Sequence, residues 1–159
     1  MPHSLVLLMG DTVRSILAFD KYMPPEVPRV ALVDTFKDEA EEALDVAKAL
    51  RERLRGIRLD TPKERGGVTP ELVHEIRARL DQDGHSHVDI FVSGGITPER
   101  IREFVDAGAP VSVFAVGYYI AAASPISFTA DIKEIDSKAI AKRGRIPGLS
   151  VNPRLSQVL

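Results

Sequence analysis

The stretch Phe91-Val92-Ser93-Gly94-Gly95-Ile96-Thr97-Pro98-Glu99 decides the fold class of this chain. An apolar run leads into a hydroxyl and two glycines, and a helix start follows at once. Threonine can cap a helix, proline suits the first helical position, and glutamate complements the helix dipole. The stretch therefore predicts a strand, a tight turn and a helix in succession, which is the repeating unit of parallel α/β folds.

The turn Ser93-Gly94-Gly95 is also the sharpest candidate for a binding site. Glycines let backbone N–H groups approach an anion closely, and a helix start adds positive partial charge. The alternative is a tight turn in which glycine supplies only backbone freedom. Functional groups of parallel α/β folds lie at the carboxyl ends of strands, so we favour phosphate binding.

The same alternation extends along the chain in both directions. Apolar runs predict strands over residues 5–9, 29–33, 57–60, 88–93 and 111–116. Helical spacing predicts helices over residues 11–21, 39–55, 70–82 and 98–107, and Thr69-Pro70-Glu71 repeats the helix start of Thr97-Pro98-Glu99. We therefore expect an α/β fold of parallel βα units. A closed eight-stranded barrel needs about 250 residues, so the chain is either a small open sheet or part of a barrel.

The pattern changes after Tyr119. Residues 127–135 and 139–143 predict a C-terminal β-hairpin around Asp136-Ser137-Lys138. Residues 146–159 show little periodicity, so we expect a domain over residues 1–145 and a tail over 146–159.

Composition limits the classes of function. The chain has 159 residues, 44% of them hydrophobic and 28% charged, with a net charge of −2 and no cysteine. The absence of a basic excess argues against a nucleic-acid partner and against a membrane surface. The lack of cysteine excludes disulfides, cysteine nucleophiles and thiolate metal sites, and it suits a cytoplasmic protein.

Arg58 and Asp60 are the clearest charged candidates. They lie two residues apart in a predicted strand, so both side chains point to one face. Charges on the inner face of a parallel sheet are costly unless they are paired or bound to a ligand. Arginine can hold a carboxylate or phosphate through two hydrogen bonds, and aspartate can bind ribose hydroxyls or hydrated Mg²⁺. A structural ion pair is the alternative.

Four further residues are weaker candidates when judged from the sequence alone. Asp34 follows a predicted strand, and it is either a site carboxylate or the cap of the next helix. Gly117 and Tyr118 follow the strand over 111–116, where they either form a second wall of the phosphate site or are a turn with aromatic packing. His3 has the pattern of an exposed terminal residue. We interpret the remaining histidines as structural: His74, His85 and His87.

Taken in order, the strand ends resemble those of nicotinate phosphoribosyltransferase, most closely the shorter prokaryotic form. The resemblance rests on these segments: Met1-Pro2-His3-Ser4, Leu32-Val33-Asp34-Thr35-Phe36, Arg58-Leu59-Asp60-Thr61-Pro62, Phe91-Val92-Ser93-Gly94-Gly95 and Lys142-Arg143-Gly144. No single motif is specific, but the ordered set runs from residue 1 to about 145. It implies part of a type II phosphoribosyltransferase α/β barrel.

The resemblance also implies a reaction in NAD salvage. Members of this family make nicotinate mononucleotide and pyrophosphate from nicotinate and phosphoribosyl pyrophosphate, with Mg²⁺ and usually with ATP coupling, and a homo-oligomer is expected. His3 matches the histidine that ATP phosphorylates, and Arg58 and Asp60 match the pair around the base and ribose. Asp34 matches a barrel-strand carboxylate. The 5′-phosphate cradle is matched by Ser93, Gly94, Gly95 and Gly117.

Family members are much longer than this chain, so we expect a truncated enzyme. Two alternatives stay open. The first is the related quinolinate enzyme, which shares the barrel but needs extra basic residues for a second carboxylate. The second is a non-catalytic half-barrel that binds phosphate or associates with another chain, because an incomplete barrel leaves sheet edges and apolar helix faces exposed.

Overall fold

The structure is a computed structural model that describes residues 1–154. By internal contacts the chain divides into two units, Met1–Ala123 and a second that begins at Ser124. The first unit contains the parallel βα repeats, and the second contains a short hairpin.

Four strands form one sheet in the first unit, in the same order as in the chain. They are β1 (Val30–Leu32), β2 (Gly56–Leu59), β3 (Asp89–Val92) and β4 (Val113–Phe114). All neighbouring pairs are parallel. Each connection carries a helix: α3 (Glu39–Leu50), α4 (Pro70–Gln82) and α5 (Pro98–Asp106). This confirms the predicted α/β fold, and the sequential strand order is that of a barrel wall.

The core joins the strands to these helices and to α2 (Thr12–Tyr22). Strand residues such as Ile57 and Ile90 lie in one cluster with apolar residues of the helices, for example Val46 and Ile76. Phe104 of α5 is fully buried and meets Phe114 edge to face at a centroid distance of 5.6 Å. The helices are thereby held against the sheet, which places their first turns beside the carboxyl ends of the strands.

The two Thr-Pro-Glu sequences start helices as predicted. The hydroxyl of Thr69 accepts a hydrogen bond from the backbone N–H of Leu72 at 3.2 Å. The hydroxyl of Thr97 accepts one from the N–H of Arg100 at 3.3 Å. Proline occupies the start of both helices. Each hydroxyl satisfies a backbone donor that the helix leaves free, so the local sequence explains why α4 and α5 begin where they do.

The predicted strand over residues 5–9 is wrong. Those residues belong to α1 (His3–Met9), in which only Val6 is buried. A short apolar run does not distinguish a strand from a helix by periodicity. Leucine and methionine favour a helix, and Gly10, with a φ of 71°, ends it in the left-handed conformation that glycine adopts without strain.

Two other elements are much shorter than predicted. The helix expected over residues 39–55 ends at Leu50, because Arg51 has a φ of 50° and begins a 3₁₀ turn, Arg51–Arg53. The strand expected over 111–116 is reduced to Val113–Phe114. Nothing in the residue types at either place marks an early end.

The predicted C-terminal hairpin is present but small. Strands β5 (Glu134–Ile135) and β6 (Lys138–Ala139) pair antiparallel across Asp136 and Ser137, both of which have positive φ. The division after Ala123 falls before the boundary expected at residue 145. The predicted tail over 146–159 lies partly outside the described residues.

Candidate functional site

Three polar side chains follow adjacent strands at one edge of the sheet. Asp34 comes two residues after β1, Asp60 directly after β2, and Ser93 directly after β3. The strands are parallel and in register, so their carboxyl ends meet at this edge. The N-terminal segment reaches the same edge, because Nη2 of Arg58 donates to the carbonyl of Met1 at 3.3 Å.

His3 links two of these carboxylates. Its Nε2 lies 3.1 Å from both carboxylate oxygens of Asp34. Its Nδ1 lies 4.0 Å from Oδ2 of Asp60. The side chain of Asp34 is 2% exposed, whereas that of His3 is 41% exposed. A buried carboxylate therefore orients an imidazole that is open to solvent, which is an arrangement suited to proton transfer or to a charged ligand.

Burial raises the pKa of Asp34, and the hydrogen bond and positive charge of His3 partly offset that effect. Asp60 and Glu39 add to the increase through repulsion. The alternative role for Asp34, a helix cap, is wrong, because Asp38 caps α3 by accepting from the N–H of Glu41 at 2.8 Å. Asp34 therefore contacts His3 instead of capping α3, and its role as a site carboxylate stays a prediction.

Arg58 is the cation at this edge. Its Nε is buried and has no hydrogen-bond partner among the described residues. Within residues 1–154, no ion pair joins it to Asp60, so the alternative of a structural Arg58–Asp60 pair is wrong. Arg58 and burial together lower the pKa of the Met1 amine, burial being the larger cause. A guanidinium with an unsatisfied buried donor is suited to binding an anionic group.

Gly94 has two structural reasons to be glycine. Its φ is +87°, and a Cβ there would lie 2.8 Å from Oδ1 of Asp60. Ser93 next to it is buried and ties β3 to β2, since its backbone N–H and its hydroxyl both donate to the carbonyl of Leu59, at 2.9 and 3.0 Å. The turn is therefore packed directly against the carboxylate of Asp60.

Gly94 and Gly95 line a cavity of about 550 Å³. The cavity is bounded by the ends of β2 and β3 and by the first turn of α5. Its wall is formed by Asp60, Thr61, Pro62, Lys63, Gly66, Gly67, Val68, Gly94, Gly95 and Arg100. A carboxylate, two cations and four glycines thus face one space.

The two glycine pairs of the cavity extend the repeat of the Thr-Pro-Glu helix starts. The segment Gly66-Gly67-Val68-Thr69-Pro70-Glu71 matches Gly94-Gly95-Ile96-Thr97-Pro98-Glu99 at every position except for one exchange of valine and isoleucine. All four glycines have positive φ: +95° and +73° in the first pair, +87° and +62° in the second. Comparing the residues that precede the two Thr-Pro-Glu helix starts is enough to find this repeat, but the comparison does not point to Lys63 or Arg100, which only the cavity brings together.

Gly117 and Tyr118 do not line this cavity. Gly117 has a φ of −115° and precedes α6 (Tyr118–Ala121), and the side chain of Tyr118 is 82% exposed. Neither the backbone nor the space at residue 117 requires glycine. Their role in phosphate binding stays a prediction.

Two of the remaining histidines contact backbone carbonyls of other elements. His74 lies 3.2 Å from the carbonyl of Ala107, and His87 lies 3.2 Å from that of Arg51. Across residues 1–154, no three His, Cys, Asp or Glu side chains are grouped so as to hold a metal ion. No helix in this part of the chain is long and apolar enough to cross a membrane.

Comparison with known proteins places the chain in a family. The model of the quinolinate phosphoribosyl transferase C-terminal domain matches residues 1–131. Nicotinate phosphoribosyltransferase pncB2 of Mycobacterium tuberculosis, from two strains, is 34% identical over 119 residues, which cover 74% of this chain and 24% of that protein. The chain therefore spans about a quarter of the length of these curated relatives.

A solved structure shows the same fold. The crystal structure of nicotinate-nucleotide pyrophosphorylase from Pyrococcus furiosus matches with a TM-score of 0.75 and 46% sequence identity, covering 94% of this chain and 38% of that chain. This confirms that the sheet is part of a type II phosphoribosyltransferase barrel. The chain belongs to the quinolinate phosphoribosyl transferase C-terminal domain family.

Proposed function

We propose that this chain forms the ribose- and phosphate-binding part of a phosphoribosyltransferase that acts on nicotinate. The observation that carries the proposal is the buried, unpartnered Nε of Arg58 at the same sheet edge as the Asp60 carboxylate. Asp60, the acceptor for ribose, also lines the glycine-containing cavity, whereas Arg58, the cation for the pyridine carboxylate, reaches this edge beside Met1 and outside the cavity wall. The ordered motifs and the similarity to a protein named nicotinate phosphoribosyltransferase support the choice of nicotinate.

The reaction is a substitution at C1 of the ribose. The ring nitrogen of nicotinate forms a bond to C1, the bond from C1 to the pyrophosphate oxygen breaks, and its electron pair leaves with pyrophosphate. Positive charge develops on the ribose as that bond breaks. Carboxylates at the sheet edge, Asp60 and Asp34, would stabilise this charge, and Arg58 would orient the ring nitrogen by holding the substrate carboxylate.

The phosphate end of the substrate belongs at Gly94 and Gly95 in this proposal. These glycines line the cavity, and Asp60 packs against Gly94, so phosphate and ribose contacts adjoin one another. Ser93 stabilises the turn through the two hydrogen bonds that it donates to the carbonyl of Leu59. Gly117 and Tyr118, which follow the next strand, are predicted to contact the same phosphate.

The residues fit Mg²⁺ that arrives with its substrate. Magnesium commonly binds through one or two carboxylates, water and substrate phosphates rather than through an all-protein cage. Asp60 meets that requirement, because its carboxylate faces the cavity and its side chain is 27% exposed. Such an ion stabilises charge on the leaving pyrophosphate.

ATP coupling through His3 is part of the proposal. The imidazole is accessible to solvent, and Asp34 holds its Nε2 side. Transfer of the γ-phosphoryl group to a ring nitrogen would release ADP. Formation of an acid-labile phosphoramidate, detected by ³¹P NMR and lost in His3→Asn, tests this step.

A homo-oligomer and a cytoplasmic location are further predictions from the resemblance.

Quinolinate is the second candidate substrate, and the family model matched over residues 1–131 favours it. Quinolinate carries two carboxylates and therefore needs a second cation near the ring. Lys63 and Arg100 line the glycine-containing cavity beyond Asp60, which leaves Arg58 as the cation for the ring and suits a substrate with one carboxylate.

A competition experiment separates the two. Saturation-transfer NMR on the 159-residue chain with phosphoribosyl pyrophosphate and Mg²⁺ should show nicotinate displacing quinolinate. Arg58→Met should abolish nicotinate binding. Arg55→Met is the matched control, because Arg55 is exposed, precedes β2 and pairs with Asp89 instead. Preferential binding of quinolinate, or nicotinate binding that survives Arg58→Met, would refute the nicotinate assignment.

A further inference from the structure

We propose that Lys63 and Arg100 supply the positive charge that holds the phosphate group in the cavity between the two glycine loops, Gly66-Gly67 and Gly94-Gly95. The inference rests on the proposed function and deepens it by naming the cations of the phosphate site. Both side chains line the same cavity as the four glycines.

The two loops present matching backbone to that cavity. Their glycines share positive φ, and a Cβ on Gly66, Gly67 or Gly95 would meet nothing within 4 Å. Space beside these three glycines is therefore open to a ligand. The N–H groups of Gly66 and Gly67 already donate to the carbonyls of Lys63 and Pro62, each at 3.0 Å, whereas among the described residues those of Gly94 and Gly95 have no such partner. Concave arrangements of backbone N–H groups at glycines are typical anion sites, but a dianionic phosphate also calls for cations.

Lys63 is the available cation of the first loop. It is exposed and makes no ion pair with any residue of 1–154, whereas Arg65 on the same turn is paired with Glu39 at 3.2 Å. Glu39 is 4% exposed and also accepts from the hydroxyl of Thr61 at 2.8 Å. The loop is thus anchored through Thr61 and Arg65, which leaves the charge of Lys63 for a ligand.

Arg100 belongs to the second repeat but contacts the first. Its Nη2 donates to the carbonyl of Val68, while Nη1 pairs with Glu103. The guanidinium also lies over the ring of Phe104, 5.2 Å from its centroid. A guanidinium has five N–H donors, so these contacts fix its plane and leave donors for a phosphate oxygen.

The charges in the cavity give the ligand one orientation. Asp60 is the carboxylate of the wall and packs against Gly94, while Lys63 and Arg100 are its cations. A phosphate is repelled by the carboxylate and attracted by the cations, and ribose hydroxyls can donate to the carboxylate. The phosphate therefore binds towards Lys63 and Arg100, with the sugar towards Asp60.

Titration of the 159-residue chain with ribose 5-phosphate and with inorganic phosphate tests the inference. Isothermal calorimetry should show affinity for ribose 5-phosphate falling about tenfold or more in Lys63→Glu and in Arg100→Met, as expected for loss of a charge-assisted hydrogen bond. Matched controls are Lys48→Glu on α3 and Arg102→Met on α5, which lie outside the cavity wall and should change affinity less than about twofold.

The variants also separate this inference from the proposed function. If the wild-type chain binds ribose 5-phosphate and both cavity variants bind equally well, the assignment of Lys63 and Arg100 is wrong while the proposed function stands. If the wild-type chain binds neither phosphate compound, both fail. Equal affinity for unphosphorylated ribose would also overturn the assignment. Because Arg100 packs on Phe104, circular dichroism must confirm its fold; Lys63 is exposed and provides an independent test.

Discussion

The first glycine loop, Gly66-Gly67, and the second, Gly94-Gly95, share nearly the same sequence and backbone but have different neighbours. The first follows an exposed, charged turn and has open space around both glycines. The second follows a buried strand and is pressed against Asp60. The repeated local sequence therefore determines the backbone conformation of each loop, whereas the surrounding fold determines which groups that loop can contact.

One position shows this most directly. The residue after Thr-Pro-Glu is Leu72 in the first repeat and Arg100 in the second, and both backbone N–H groups bond to the capping threonine. Leu72 is packed against the core, whereas the side chain of Arg100 lines the cavity. Identical capping thus holds an apolar residue in one unit and a cation in the other.

Alanine at the second loop should have the largest effect. Gly94→Ala forces a left-handed residue and sets a Cβ 2.8 Å from Oδ1 of Asp60, so we expect a loss of about 2–4 kcal/mol in the free energy of unfolding. Gly66→Ala introduces only the backbone strain, about 1–2 kcal/mol. Urea unfolding of both variants measures the difference. Equal losses would show that the contact with Asp60 does not distinguish the loops.

The anchor of the first loop comes next. Glu39→Ala removes the buried acceptor of Thr61 and Arg65, and we expect it to cost about 2 kcal/mol. Glu41→Ala is the control, since Glu41 lies on the same helix turn and is 53% exposed. Amide exchange in Gly66 and Gly67 should accelerate only in the first variant. Acceleration at Gly94 as well would mean that the loops share this anchor.

The caps should behave alike. Thr69→Ala and Thr97→Ala each remove one hydroxyl acceptor from a helix start, so each should lower the free energy of unfolding by about 1 kcal/mol. Thermal unfolding followed by circular dichroism gives both values. A much larger loss for Thr69→Ala would indicate that α4 depends on its cap more than α5 does.

The smallest effect concerns Glu71 and Glu99. The pKa of each carboxyl is lowered, first by its own backbone N–H and then by the hydroxyl of Thr69 or Thr97. Because the pKa is lower in the folded state, each ionised carboxyl stabilises the protein at pH values above its ordinary pKa of 4.5. This stabilisation is lost as the pH falls through the folded-state pKa. Glu71→Gln and Glu99→Gln should remove equal parts of this pH dependence, measured by urea unfolding at several pH values. Unequal changes in pH dependence would show that the first turns of α4 and α5 do not stabilise their glutamates equally.

Local signals explain what could be predicted from the sequence. The prediction for α4 matches its observed bounds, because Thr69-Pro70-Glu71 marks its start and apolar spacing continues through the helix. The parallel sheet follows from alternation, and the Asp34 and Asp60 candidates follow from their positions at strand ends. The strand predicted over residues 5–9 is wrong because so short an apolar run has no periodicity that excludes a helix.

The rest depends on contacts between distant residues. His3 and Asp34 are 31 positions apart, and Thr61 and Glu39 are 22 apart, so no local pattern joins them. The cap alternative for Asp34 was equally consistent with the sequence, since only the fold shows that Asp38 fills that role. No local pattern joins Lys63 to Arg100, because each belongs to an ordinary charged segment and their common cavity exists only after the sheet aligns the two loops.

The bond from Arg100 to the carbonyl of Val68 has a consequence for local unfolding. It ties the entry of α4 to the first turn of α5, which are separate βα units along the chain. Opening of one helix start then weakens the other, so the two repeats should open as one cooperative segment rather than fray independently. A ligand that bridges them would make that segment the slowest-opening part of the sheet edge.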